Sequence, residues 1–91
     1  MAKKTLLKMY GDWCVPCKQL DAILKDVIAS GKMDNYDFED VDIAASPDVA
    51  AHYRVRAVPT MIIIDEEGNE LKRHVGVMDK KTLERWLLNN L

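Results

Sequence analysis

The sequence lacks any apolar run near the roughly 20 residues that span a bilayer; its longest, Met61 to Ile64, is far shorter. It also lacks an excess of one charge. A formal net charge of -2, with both signs interspersed, sets up no field that would gather a phosphate backbone or anionic lipid. Nucleic acid and membrane are therefore poor default partners. Met1 to Lys8 is basic but has no apolar h-region of roughly 7 to 15 residues and no small-residue cleavage site, so it reads as a first strand rather than an export signal. The cytoplasm is the expected compartment. Linkers, internal repeats and low-complexity segments are absent too, and 91 residues leave room for one domain, 1-91. Cysteine is scarce, with only two in the chain. In a reducing compartment a structural disulfide does not persist, so this pair calls for a chemical explanation.

What is present reads as an alternation of short strands and helices. Thr5 to Tyr10 is mostly apolar and breaks at Gly11-Asp12, as a buried strand ending in a loop would. Leu20, Ile23, Leu24, Val27 and Ile28 make the stripe of an amphipathic helix that Gly31 can stop. Tyr36 to Ile43 suits a second strand, and Ser46-Pro47 an N-cap and first helical residue leading to about Tyr53. Thr60 to Ile64 and Glu70 to Val75 flank turn residues and predict a hairpin, after which Asp79 can cap a last helix burying Leu83, Trp86 and Leu87. The order is β-α-β-α-β-β-α. A helical crossover makes the first two strands parallel and the hairpin adds antiparallel ones, so the fold class is α/β, a four-stranded mixed sheet with helices on both faces.

Cys14 falls at the start of the first helix, where unpaired backbone N–H groups and the helix dipole favour an anion. Disulfide exchange needs a thiolate. Cys14 is therefore the candidate nucleophile, and Cys17, a turn later, the candidate resolving thiol. A structural zinc site needs about four ligands, and only His52 and His74, on other elements, could supplement the pair. Neither a metal nor a cofactor is expected.

Asp12-Trp13-Cys14-Val15-Pro16-Cys17-Lys18 resembles the active-site loop of the thioredoxin family, and Arg56-Ala57-Val58-Pro59-Thr60 resembles that family's cis-proline loop. Gly76 matches a glycine beside the same surface. The likeness runs from Leu6 to Leu91 without the family's usual extra N-terminal strand and helix, which implies a minimal thioredoxin fold. It further implies a cis bond before Pro59, a Val58 backbone free to pair with an extended substrate, and an apolar rim of Trp13, Val15, Pro16, Val58, Pro59 and Gly76 around the Cys14 sulfur. Without the resemblance, Pro59 would read as an ordinary trans turn.

Lys8 interrupts the first strand where the family usually places a buried aspartate, and an ungapped match puts Asp40 where the family has the lysine that faces it. Two arrangements are compatible with this exchange. Lys8 and Asp40 could pair beneath the dithiol and take over the proton-transfer role that the resemblance implies there, or Lys8 could snorkel to solvent and Asp40 sit at an exposed edge.

The expected activity is thiol-disulfide oxidoreduction in the reducing direction. Its expected partners are disulfide-containing proteins and a reductase donor, thioredoxin reductase or glutathione, and the chain is expected to act as a monomer. A glutaredoxin-like use of glutathione is the nearest alternative, although Val77-Met78-Asp79 after Gly76 lacks that family's second glycine. A non-catalytic thioredoxin-fold binding module is the other.

Overall fold

Two strand sequences are mostly apolar, and both lie inside the sheet. In the computed structural model, which describes residues 3–91, these are β1, Lys4–Tyr10, and β3, Thr60–Ile64. Met1 and Ala2, which the sequence assigned to the first strand, fall outside the described residues. An interior strand covered on both faces loses the polar alternation of a half-exposed one, and Leu6, Leu7, Met9, Met61, Ile62 and Ile63 are all buried. The charged sequences of β2, Tyr36–Asp42, and β4, Glu70–Val75, suit sheet edges, where charge discourages pairing with other chains. The strand order is β2-β1-β3-β4. β1 runs parallel to β2, while β1–β3 and β3–β4 are antiparallel.

The pleat of β1 sends successive side chains into two separate cores. On one face Leu6 joins Met61 and Ile63 beneath Leu20, Leu24 and Val27 of α1, Val15–Ala29, and Leu83 and Leu87 of α3, Lys80–Leu88. On the other, Leu7, Met9 and Ile62 meet Val49 and Tyr53 at α2, Pro47–His52. Helices thus cover both faces of a four-stranded mixed sheet, in the element order expected from the sequence. Each fully buried leucine contributes about 1.5–3 kcal/mol. Trp86, read as core, packs only partly buried against the first cluster.

Polar bonds fix the ends of these elements. The Tyr36 hydroxyl donates to the Leu87 carbonyl at 2.5 Å and ties β2 to α3; burial pushes this phenol up to about 12. Asp79 caps α3 by accepting from the Thr82 N–H at 2.8 Å, and that bond holds its carboxyl below the usual aspartate range. Gly31, at φ +74°, follows the C-cap Ser30 of α1 in the left-handed region that glycine tolerates. Ser46 differs from expectation. Its hydroxyl makes no cap bond; its N–H donates to Asp42 O at 2.8 Å in a tight turn, and Pro47 presets the helix backbone.

Candidate active site

The register of the sheet gathers three loops at one end. Met9 pairs with Thr60 and Thr60 with Val75, so the segments just beyond β1, before β3 and after β4 meet there. They carry Gly11 to Cys14, Val58-Pro59 and Gly76. The Val58-Pro59 bond is cis, and the Gly76 N–H donates to Pro59 O at 2.9 Å, locking two of the loops together. Gly76 has φ +101°, which L side chains rarely adopt.

Cys14 is the N-cap of α1, with extended backbone angles and its N–H donating to Gly11 O at 3.2 Å. Its sulfur accepts the Cys17 N–H at 3.1 Å, one of the donors that a helix start leaves unpaired. Pro16, in the first turn, has no N–H to leave unsatisfied. The two sulfurs form a disulfide, with the Cα atoms 5.2 Å apart. Both cysteines are buried, Cys14 at 5% exposure and Cys17 at 2%. Beside them Trp13 and Val15 lie open to solvent at 66% and 63%. An apolar surface with one sulfur at its floor suits the docking of another chain's disulfide.

The expected rim is not uniform. Trp13, Val15 and Pro16 are exposed, whereas Pro59 is fully buried and Val58 packs half-buried against the α2-side core. The Val58 side chain is thus already used in packing. Gly11 was missed by sequence reasoning. A Cβ built on it would sit 2.6 Å from two carbons of the Trp13 indole, so the bare glycine is where that ring rests. The signal was a glycine two positions before the tryptophan.

Lys8 lies beneath α1 at 3% exposure, and its ammonium stands 5.3 Å from the centre of the Tyr10 ring. It meets two carboxylates. Asp40, its register partner on β2, is 3.3 Å away, with its own side chain 65% exposed. Asp21 on α1 makes the closer contact. Asp21 was not anticipated. It follows Cys17 by four positions on the same face of α1, at the margin of the apolar stripe, which is the signal that could have found it. A groove of about 400 Å³ opens at Lys8, Asp21 and Asp40 between α1 and the β2 edge.

Among the described residues, no group of three or more His, Cys, Asp or Glu side chains could hold a metal ion, and no helix is long and apolar enough to cross a membrane.

The sequence matches the family model described as Thioredoxin over residues 1–89. It is 36% identical over 78 residues to a thioredoxin of Chlamydia trachomatis, covering 86% of this chain and 74% of that protein. It is 36% identical over 92 residues to a thioredoxin of Mycolicibacterium smegmatis, covering 99% and 80% respectively. Among solved structures, the thioredoxin of Malassezia sympodialis is similar with a TM-score of 0.85 at 23% identity, over 97% of this chain and 75% of that one. At that identity the likeness speaks for the fold alone.

Proposed function

The chain belongs to the thioredoxin family, and on that premise we propose that it reduces protein disulfides through attack by Cys14 and resolution by Cys17. It is a thiol-disulfide oxidoreductase, as members of that family are, and thioredoxins act on disulfide substrates and are reduced by thioredoxin reductase. The observation that carries the reading is the Cys14 sulfur at the N-cap of α1, accepting the Cys17 N–H and bordered by exposed Trp13 and Val15. A helix start favours the anionic sulfur that exchange requires.

In the reduced protein the Cys14 thiolate attacks a substrate disulfide, forming a mixed disulfide and releasing the first substrate sulfur as thiolate. Cys17 then attacks the Cys14 sulfur. The second substrate thiolate leaves and the Cys14-Cys17 disulfide closes, as found in this structure. Trp13, Val15 and Pro16 supply the apolar docking face, the Val58 backbone pairs with the substrate strand, and Pro59 and Gly76 hold that loop in place. Lys8 and Asp40 belong to the charge cluster beneath the dithiol. A single domain, 1–91, acts as a monomer in the cytoplasm and draws electrons from thioredoxin reductase rather than glutathione.

The test is insulin reduction, with NADPH and thioredoxin reductase or with glutathione as donor. Cys14→Ser is expected to abolish turnover, and Cys17→Ser to accumulate a mixed disulfide visible on a non-reducing gel. Turnover surviving in Cys14→Ser would overturn the assignment. Faster turnover with glutathione than with the reductase would reverse the choice of donor.

A further inference from the structure

Resolution of the mixed disulfide requires Cys17 to lose its proton, yet this residue is only 2% exposed. Lys8 on β1, which meets the same helix at Asp21, carries an ammonium that only donates and cannot take the proton. On the same face of α1, one turn beyond Cys17, stands Asp21, its side chain 43% exposed and in contact with the Lys8 ammonium. Side chains four apart on a helix lie about 5–6 Å from each other at Cβ. Asp21 thus borders both the buried thiol and the groove of about 400 Å³ that opens between α1 and β2.

We propose that Asp21, rather than Asp40, accepts the Cys17 proton during resolution, directly or through a water in the groove, with Lys8 positioning its carboxylate. The inference rests on the redox reading above and adds the proton route. The proton leaves the Cys17 sulfur for the Asp21 carboxylate, and the Cys17 thiolate attacks the Cys14 sulfur. The bond between Cys14 and the substrate breaks, and its electron pair leaves with the substrate sulfur. Asp21 then passes the proton to water in the groove.

The second carboxylate explains how the lysine tolerates this cycle. A buried ammonium left unpaired is costly. When Asp21 becomes neutral, Asp40 at 3.3 Å still balances Lys8. Asp40 is the less suited acceptor, since it sits on the edge strand β2 with a side chain 65% exposed. The other charged or titratable groups facing this site are Tyr10 on β1, Glu39 on β2 and Lys25 on α1. None of these borders Cys17 on its own helix face as Asp21 does.

Mixing the reduced protein with dithionitrobenzoate, a small disulfide that releases a coloured thiolate, separates the two steps. The first thiolate reports attack by Cys14 and the second reports resolution by Cys17. Asp21→Asn keeps the size of the side chain and an acceptor for Lys8 but cannot take the proton. It is expected to slow the second phase at least about 10-fold at neutral pH and to make it rise steadily with hydroxide, while the first phase stays within about twofold. Asp21→Glu should restore most of the rate, and Asp40→Asn should change it by less than about threefold. An intact first phase certifies the fold of each variant, and Asp21→Ser replaces the asparagine variant if that phase is lost. An unchanged second phase and pH profile in Asp21→Asn, or an equal loss in Asp40→Asn, would overturn the proposal. A wild-type protein that shows no second phase at all would instead count against the redox reading.

Discussion

Replacing Gly11 with alanine is expected to leave the fold standing and to damage substrate docking through Trp13. Gly11 is buried, has no left-handed φ, and accepts the Cys14 N–H at 3.2 Å, so its backbone geometry is open to alanine. The obstacle is the indole. The new Cβ would lie 2.6 Å from its Cη2 and Cζ2 carbons, and a carbon pair is comfortable only at about 3.5–4.0 Å, so the ring must retreat by about 1 Å. Trp13 is 66% exposed, and moving an exposed ring gives up few contacts. A glycine-to-alanine change at a compatible site stabilises by about 0.4–1 kcal/mol through the unfolded chain. The two effects oppose each other, and the urea midpoint should hardly move. Function should suffer more, because a well-placed aromatic contact is worth about 0.5–1.5 kcal/mol. Losing about 1 kcal/mol of docking lowers kcat/KM for insulin reduction roughly fivefold. The control is a double-mutant cycle with Trp13→Ala. If the alanine at position 11 acts through the indole, it should cost almost nothing further in the Trp13→Ala background. The same fivefold loss in both backgrounds would refute the reasoning and point to the Gly11 carbonyl that holds Cys14.

Two predictions concern the parts that hold the site in place. Tyr36→Phe removes the bond to the Leu87 carbonyl and should cost about 1–2 kcal/mol in urea unfolding at neutral pH. The raised phenol gives the wild type a stability term that is whole below pH 10 and lost as pH climbs toward about 12. Alkaline titration of the unfolding midpoint should therefore show the gap between wild type and Tyr36→Phe closing across that interval, and a constant gap would contradict the assigned burial. Asp79→Ala removes the cap of α3 and should lower the thermal midpoint at neutral pH. Because the carboxyl is held below its ordinary value of 3.8, its contribution is present above that pH and lost as pH falls through the depressed folded value. The midpoints of wild type and variant should converge in acid, and parallel curves would refute the capping role.

Much of this protein was readable from residues close together in the chain. The two cysteines at the start of an amphipathic stripe, the hairpin over Thr60–Ile64 and Glu70–Val75, and the cap at Asp79 are all patterns of local spacing. Hydrophobic periodicity and turn chemistry act between near neighbours, so the sequence determined the element order and the position of the reacting sulfurs. It also showed that Lys8 was out of place in an apolar strand and offered Asp40 as a partner, which the structure sets at 3.3 Å, without revealing the second acid. That second contact belonged to the packing of α1 on β1, which brings Asp21 to the ammonium from the margin of the helix's apolar stripe. The register of β1 with β3, and of β3 with β4, likewise brought Val58-Pro59 and Gly76 to the end of the sheet where Cys14 lies. A buried charge shows all its partners only once distant elements are packed together, because its own place in a strand does not distinguish one neighbouring acid from another.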